Sequence, residues 1–284
     1  MKRTYFSLLC LIFFIAFKAQ AQDHVLLPES FFLHKGDELK IHLISANQLI
    51  KEDEIRYETA KPSKFMLIAG SKKMDLTTVA KDTASPIVTI KPETDGLNII
   101  SMVQKPNIDE VERDDFIKIL DDEGMVKESE KAKNGSKDSF REKYTWYLKS
   151  LVEVEKNSNN NFDKPLHDEY EIVLKDNPYK GNYGDDIIAA VYLKEKPIAN
   201  AQVMFYIKTA NGNVFAQKLV TDKTGQIYFK LSREGIYLLR TLHIEPSKDR
   251  SADFETWIAS YSFAFSSNNT MPNTYKEFGF GNKH

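Results

Sequence analysis

Short apolar runs rich in β-branched and aromatic residues alternate with turn clusters between Lys196 and His243. Lys196 to Lys208 and Val214 to Val220 are two such runs, and Thr221 to Gly225 is a turn cluster. A repeat of about ten residues is typical of antiparallel sandwiches. This stretch therefore predicts a β-sandwich in the last part of the chain.

The boundaries of this sandwich follow from its neighbours. Asn157 to Asn161 is a polar run typical of a linker. Trp257 to Phe265 alternates so that its large side chains share one face, as in a closing strand. We place the C-terminal sandwich at residues 157–266 and expect 267–284 to form a flexible tail.

A second sandwich is predicted at residues 22–105. Leu39, Ile41 and Leu43 alternate with polar residues in the period-2 pattern of a half-buried strand. Further short runs follow, whereas the charged stretch from Lys51 to Ser63 resembles a loop. Together these features predict about seven strands in this region, with the last ending near Val103.

Residues 106–156 are predicted to be a helical connector. The first helix would start at Asn107 as N-cap and stop at Gly124, followed by a solvated loop over 127–138. A second would start at Ser139, because its apolar side chains follow helical spacing: Phe140, Tyr144, Tyr147, Leu148 and Leu151. The predicted fold is mainly β, with two antiparallel β-sandwich domains joined by a short helical segment.

Residues 1–21 have the pattern of a signal peptide. Lys2 and Arg3 precede the apolar run Phe6 to Phe17, which is too short to span a bilayer, and Ala21 ends a cleavage motif. Cys10 is the only cysteine, and its surroundings lack a lipoprotein motif. We expect a periplasmic, unlipidated protein that has no membrane span after cleavage and no disulfide.

Composition and motifs exclude several classes of function. The net charge is −2 with both signs interleaved, which argues against a nucleic-acid partner. The chain has no Gly-x-Ser-x-Gly, Walker, dinucleotide or His-Glu-x-x-His motif. The sequence therefore predicts a protein that is not an enzyme and takes no organic cofactor.

Several motifs recur in the order found in one known family. They include Phe31-Phe-Leu-x-x-Gly36-Asp, Arg141-Glu-Lys-Tyr-x-x-Tyr147-x-Lys-Ser-Leu151, Glu171-Ile-Val-x-x-x-Asn177-Pro-Tyr179, Gly235-x-Tyr-Leu-Leu-Arg240 and Trp257-x-x-x-Tyr261-x-Phe263. The chain resembles an exported bacterial family of unknown function, distantly related to the periplasmic substrate-recognition component of cobalt/nickel uptake. Its C-terminal domain is similar to transthyretin-like or collagen-adhesin-repeat sandwiches.

The resemblance implies a divalent-metal role through a histidine near the mature N-terminus, here His24. It also makes His243 a stronger candidate metal ligand, because members of the family often have a histidine at this position. The implied partner is an envelope metal-uptake receptor or transporter. In this sequence Gln22 and Asp23 separate His24 from the cleavage site.

Two metal geometries are open. A terminus reading Gln22-Asp23-His24 can wrap a square-planar Ni or Cu ion through its amine, two amides and imidazole. Alternatively, His24 and His243 converge, with Glu255 or Glu245 as a carboxylate ligand. His42 is a weaker candidate because it faces away from its apolar neighbours. Each histidine also has a competing interpretation. His24 would be a residue at a strand edge that binds no metal, and His243 would be a buried core residue that forms a hydrogen bond.

Two functions are therefore expected. The first is a periplasmic binding or accessory protein that handles a divalent transition metal (Ni, Co or Cu) during uptake. The alternative is a structural or interaction module of the cell envelope that binds protein or glycan without metal.

Overall fold

A computed structural model describes residues 22–155 and 162–281. The strands are β1 (Asp23–Pro28), β2 (Phe32–Leu33), β3 (Leu39–Asn47), β4 (Ile50–Glu54), β5 (Pro62–Ala69), β6 (Lys72–Asp75), β7 (Val88–Ile90), β8 (Gly96–Gln104), β9 (Asn107–Glu112), β10 (Ser139–Val154), β11 (Tyr170–Leu174), β12 (Asp186–Leu193), β13 (Lys196–Pro197), β14 (Gln202–Lys208), β15 (Val214–Val220), β16 (Gln226–Lys230), β17 (Gly235–Pro246) and β18 (Phe254–Phe265). The helices are α1 (Arg113–Asp122), α2 (Val126–Asn134) and α3 (Thr274–Glu277), with a 3₁₀ turn at Leu76–Thr78. The predicted signal peptide and the Asn157–Asn161 linker lie outside the described residues.

The strands form three sheets in the described ranges. The central sheet runs in the order β15-β14-β17-β18-β10-β8-β5-β6, with β2 and β9 also pairing with β10. A first outer sheet contains β1, β3, β4 and β7, and a second contains β11, β12, β13 and β16. The prediction of a mainly β fold is confirmed, although β10 pairs in parallel with β18 and β2.

Each face of the central sheet carries its own core. The side chains of Trp146, Leu148 and Leu238 pack with the first outer sheet. The adjacent Tyr147 and Leu239 point the opposite way and pack with the second. Helices α1 and α2 cover the first face at the far end of β10, around Phe140 and Phe254. The central sheet thus serves as a shared layer between two apolar cores.

The helix predicted from Ser139 to Leu151 is wrong, because this segment is β10, a strand of 16 residues. The last ten positions of β10 are all buried, since sheets pack on both of its faces. A strand covered on both sides places apolar residues on both faces and loses its period-2 pattern, and six of these ten positions are apolar. The helical spacing of Phe140, Tyr144 and Tyr147 was a coincidence.

The first predicted helix is only partly correct. Asn107 starts β9 instead of capping a helix, and α1 begins at Arg113. Gly124 does follow the helix end, with φ of 73° in the left-handed region that favours glycine. The predicted loop over 127–138 contains α2, and the predicted loop from Lys51 includes most of β4.

The C-terminal segment is packed, contrary to the prediction of a loose tail. Phe278 and Phe280 are buried in the core of the first outer sheet. The amide of Thr274 donates a hydrogen bond to the carbonyl of Glu29 at 2.7 Å. The prediction failed because residues 267–281 are mostly polar, whereas Phe278 and Phe280 are enough to hold the segment against the core.

Strand β10 joins strands from both predicted sandwiches, since it pairs with β8 and with β18. The predicted domain boundaries stay predictions, and one continuous sheet runs across them. Of the helices described, none has the length and apolar character needed to cross a bilayer.

Candidate functional site

His24 lies on β1 and stacks on the indole of Trp146, with 4.3 Å between ring centroids. Burial lowers the pKa of His24 to about 4, so the ring is neutral at neutral pH. Its Nδ1 is buried and has no hydrogen-bond partner among the described residues. Its carbonyl accepts a hydrogen bond from the Ser260 hydroxyl at 2.8 Å. His24 therefore belongs to the packing between sheets.

His243 lies on β17 with Glu245 as its partner. The His243 Nε2 and Glu245 Oε1 atoms are 3.0 Å apart, and this hydrogen bond lowers the pKa of Glu245. Glu255, which is opposite Glu245 in the register of β17 and β18, forms an ion pair with Lys143 at 3.1 Å. The imidazole ring also approaches Trp257, at 6.0 Å between centroids. Both carboxylates thus have partners of their own.

His24 and His243 lie on opposite faces of the central sheet, so their predicted convergence is wrong. Ile258 is the register partner of both Trp146 and Leu242, which places all three side chains on the face that meets His24. His243 follows Leu242 along β17 and points to the other face, because side chains alternate along a strand. The sheet backbone separates the two imidazoles.

The described residues do not fit a nickel, cobalt or copper ion. In β1, which starts at Asp23, successive amides point in opposite directions, so those of Asp23 and His24 cannot enclose one ion. Across 22–155 and 162–281, no group of three or more His, Cys, Asp or Glu side chains could hold a metal.

His42, the weaker candidate, is the centre of a polar network that we call the His42 cluster: His42, Glu29, Lys51, Glu54, Ser85 and Tyr275. The His42 side chain is only 4% exposed and stacks on Tyr275, with ring centroids 3.7 Å apart. Its Nε2 lies 3.1 Å from a Glu29 oxygen, and its Nδ1 lies 2.6 Å from a Glu54 oxygen. The two carboxylates flank opposite edges of the ring and cannot share an ion with it.

Glu54 is the main acceptor of the His42 cluster. Lys51 donates to it at 2.6 Å, and the hydroxyls of Ser85 and Tyr275 donate as well. Burial acts to raise the pKa of Glu54, but these donors and His42 together lower it to about 2. Glu54 is thus held as a carboxylate by partners within the protein.

The His42 cluster fastens the C-terminal segment to the first outer sheet. Lys51 donates to the carbonyl of Phe280 at 2.8 Å, and Asn273 donates to Glu29 at 3.1 Å. Because its polar atoms are used within the fold, we interpret this cluster as structural.

A second buried network, which we call the Arg240 cluster, consists of Arg240, Asp23 and Glu123. Arg240 Nε donates to Asp23 Oδ1 at 2.8 Å, and Nη1 donates to Glu123 Oε1. The residue is 4% exposed. Its Nη2 atom makes no hydrogen bond with the described residues.

The charges of the Arg240 cluster do not cancel, because two carboxylates share one guanidinium. Burial raises the pKa of Asp23, and the neighbouring Glu123 adds to the effect, while Arg240 opposes it. A proton or a polar ligand at this position would therefore be favoured.

The Arg240 cluster lies at a cavity of about 300 Å³ whose walls come from four separate parts of the chain. These parts are strand β1, the β3–β4 turn, helix α1 with the residue that follows it, and strands β14, β15 and β17. The polar lining comprises four carboxylates, three cations and three amides: Asp23, Asp115, Asp122, Glu123, Lys118, Lys218, Arg240, Asn47, Gln48 and Gln202. This is a cavity of small-ligand size with nearly balanced charge.

Asn47 and Gln48 reach this cavity from the two-residue turn between β3 and β4. Gln48 and Leu49 have φ of 50° and 58°, the left-handed values that the favoured two-residue hairpin turn requires at both of its central positions. Leu49 is fully buried, and its carbonyl accepts a hydrogen bond from Lys208 Nζ at 2.8 Å.

Reasoning from sequence missed the Arg240 cluster, although one signal was present. Arg240 stands inside the apolar run Tyr237 to His243, where a charged side chain requires buried partners. Those partners, Asp23 and Glu123, lie 217 and 117 positions away in sequence, so the pairing could not be deduced.

The chain belongs to the family described as Domain of unknown function (DUF4198), whose model matches residues 19–245. No curated protein matches the sequence. Among solved structures, the chain is similar to the D0-D1 domain of intimin at 13% identity. That match covers 86% of this chain and 98% of the other, with a TM-score of 0.21.

Proposed function

We propose that this member of the DUF4198 family is a non-catalytic binding module of the bacterial cell envelope. Its ligand would be a short glycan or a similar hydroxyl-rich molecule, held in the cavity beside Arg240. The observation that carries the proposal is the composition of that cavity, which has amides and charges of both signs.

The balance of charge favours a neutral ligand. Four carboxylates face three cations, so a strongly charged ligand of either sign would meet repulsion as well as attraction. Hydroxyl groups both donate and accept hydrogen bonds, and the amides of Asn47, Gln48 and Gln202 do the same. A sugar can use both kinds of partner around its ring.

The arrangement of the two buried carboxylates favours a role in ligand binding over a role in glycoside hydrolysis. Glycoside hydrolysis requires two carboxyl groups placed on either side of the bond that is cleaved. Asp23 and Glu123 are instead bound to the same guanidinium. They are positioned to orient Arg240, whose Nη2 would donate to the ligand.

An envelope location follows from the predicted signal peptide over residues 1–21. The proposed partner is therefore a surface or periplasmic glycan. A metal role lacks a set of ligands in the described chain and is not part of this proposal.

The test is calorimetric titration of the purified protein with a panel of envelope oligosaccharides and with Ni(II), Co(II) and Cu(II). We expect an oligosaccharide to bind, and Lys118→Ala or Asn47→Ala to weaken it about tenfold, the effect of one lost hydrogen bond. Lys223→Ala is the matched control, because Lys223 is exposed on a turn and does not line the cavity.

Two results would contradict the proposal. One is the absence of binding to any oligosaccharide. The other is binding that the two cavity variants and the control variant affect equally.

A further inference from the structure

The central sheet ends at an edge strand that is poorly protected. Among the described residues β15 pairs only with β14, and it carries a single charged side chain, Lys218. Phe215 and Val220 are 38% and 58% exposed. Edge strands are usually short, charged or covered, because an open edge recruits another strand.

The unpaired backbone groups of β15 can be assigned from its register. Thr209 N donates to Asn213 O, and Thr221 N donates to Ala201 O, at the two ends of the β14–β15 ladder. Hydrogen-bonded pairs occur at every second residue of an antiparallel ladder. The odd-numbered residues of β15 therefore bond to β14, and the N–H and C=O groups of residues 214, 216, 218 and 220 point outward.

We infer that β15 pairs antiparallel with β15 of a second copy of this chain, about a two-fold axis at Gln217. This register sets residue 214 opposite 220 and residue 216 opposite 218, so outward groups meet outward groups. The two central sheets then become one continuous sheet. This interaction surface shares Lys218 with the lining of the proposed glycan cavity, but its pairing rests on the backbone groups of β15.

The side chains of β15 favour a second copy over an unrelated extended peptide. About this axis, Val214 faces Val220 and Phe215 faces Leu219, which are apolar pairs suited to cross-strand contact. Lys218 faces Ala216 and not another lysine. The sequence Val-Phe-Ala-Gln-Lys-Leu-Val is thus complementary to itself when reversed.

Ala216 offers a sharp test, because it is exposed and would lie opposite Lys218 of the second copy. Sedimentation equilibrium of the purified protein over a range of concentrations should show a dimer. Ala216→Glu would create two attractive pairs and lower the dimer dissociation constant about threefold or more. Ala216→Lys would create two repulsive pairs and raise it about tenfold.

If net charge alone determined dimerisation, Ala216→Lys would strengthen the dimer and Ala216→Glu would weaken it. The chain carries a charge of −2, so an added lysine would reduce general repulsion between copies and an added glutamate would increase it. The difference between the two variants should shrink at high salt, because exposed charge pairs are screened.

A protein that stays monomeric at several hundred micromolar would overturn the inference. So would a dimer whose dissociation constant is unaffected by both substitutions, or one that Ala216→Lys strengthens.

Discussion

The Arg240 cluster and the His42 cluster are both buried ionic networks, yet they differ in how their polar atoms are used. In the His42 cluster, His42 and Glu54 find their partners inside the fold. Both clusters line a cavity. In the Arg240 cluster, however, one guanidinium is shared by two carboxylates, and its Nη2 atom makes no hydrogen bond with the described residues.

This difference indicates a role in stability for the His42 cluster and a role in ligand binding for the Arg240 cluster. A fully partnered network contributes to stability and has little left to offer a ligand. A network with spare donors and an uncompensated charge costs stability and can recover it when a ligand binds. Buried charge alone therefore does not identify a site; the unused hydrogen-bonding capacity does.

The largest effect is expected for Arg240→Met. It leaves Asp23 and Glu123 buried without their cation and should lower the free energy of unfolding by about 3–5 kcal/mol. Denaturant unfolding of the single variant measures this loss.

The control is the triple variant Arg240→Met, Asp23→Leu, Glu123→Leu. It removes all three charges and should recover most of the stability while abolishing ligand binding. A triple variant that is less stable than the single variant would show that the charges stabilise the fold.

Glu54→Gln should cost about 3 kcal/mol at pH 7, because the folded protein lowers the pKa of Glu54 from 4.5 to about 2. The stabilisation by this carboxylate is complete above pH 4.5 and is lost as the pH falls through about 2. The variant should therefore lose less stability than wild type between pH 4.5 and 2, as measured by urea unfolding. Ligand binding should not change, and a large loss of binding would mean that the His42 cluster also serves the ligand.

His24→Phe tests the side chain that follows Asp23 on β1. The pKa of His24 is about 4 in the folded protein and 6.5 in the unfolded chain. The unfolded state thus binds the extra proton, and wild type loses up to about 3 kcal/mol as the pH falls from 6.5 to 4.

Phenylalanine preserves the stacking on Trp146 without a titratable group. We expect equal or higher stability of this variant at pH 7.5 and a flatter stability profile below pH 6.5. If the stability of both proteins fell equally with pH below 6.5, His24 would have to be protonated in the folded state.

The smallest effect is expected for Gln48→Gly. Glycine adopts the positive φ of this exposed position without strain, so thermal unfolding should show a gain of less than about 1 kcal/mol. Ligand binding should weaken, because an amide of the cavity wall is lost. A variant that binds normally would remove Gln48 from the proposed site.

The sequence predicted most of the strands but not their arrangement. Strands with one exposed face, such as β16, keep a clear alternation and could be identified. β10 could not, because burial on both faces removed the period on which the prediction depended.

The candidate site was harder to predict than the fold. His24 and His243 were predicted to be metal ligands. Their roles depend on which face of a sheet each one occupies, and the local sequence does not encode this. Arg240 was visible as an isolated charge in an apolar strand, but its partners come from β1 and the end of α1. Only the tertiary fold brings these residues together.

The burial of Phe278 and Phe280 against the first outer sheet has a consequence for biogenesis. The strands of the first outer sheet cannot complete their core until Phe278 and Phe280 have been synthesised and have reached the same compartment. A product that stops before Asn273 would expose the apolar surface that these two rings cover, which is the kind of surface that quality-control proteases and chaperones recognise. Completion of this core therefore depends on residues synthesised about 250 positions after β1.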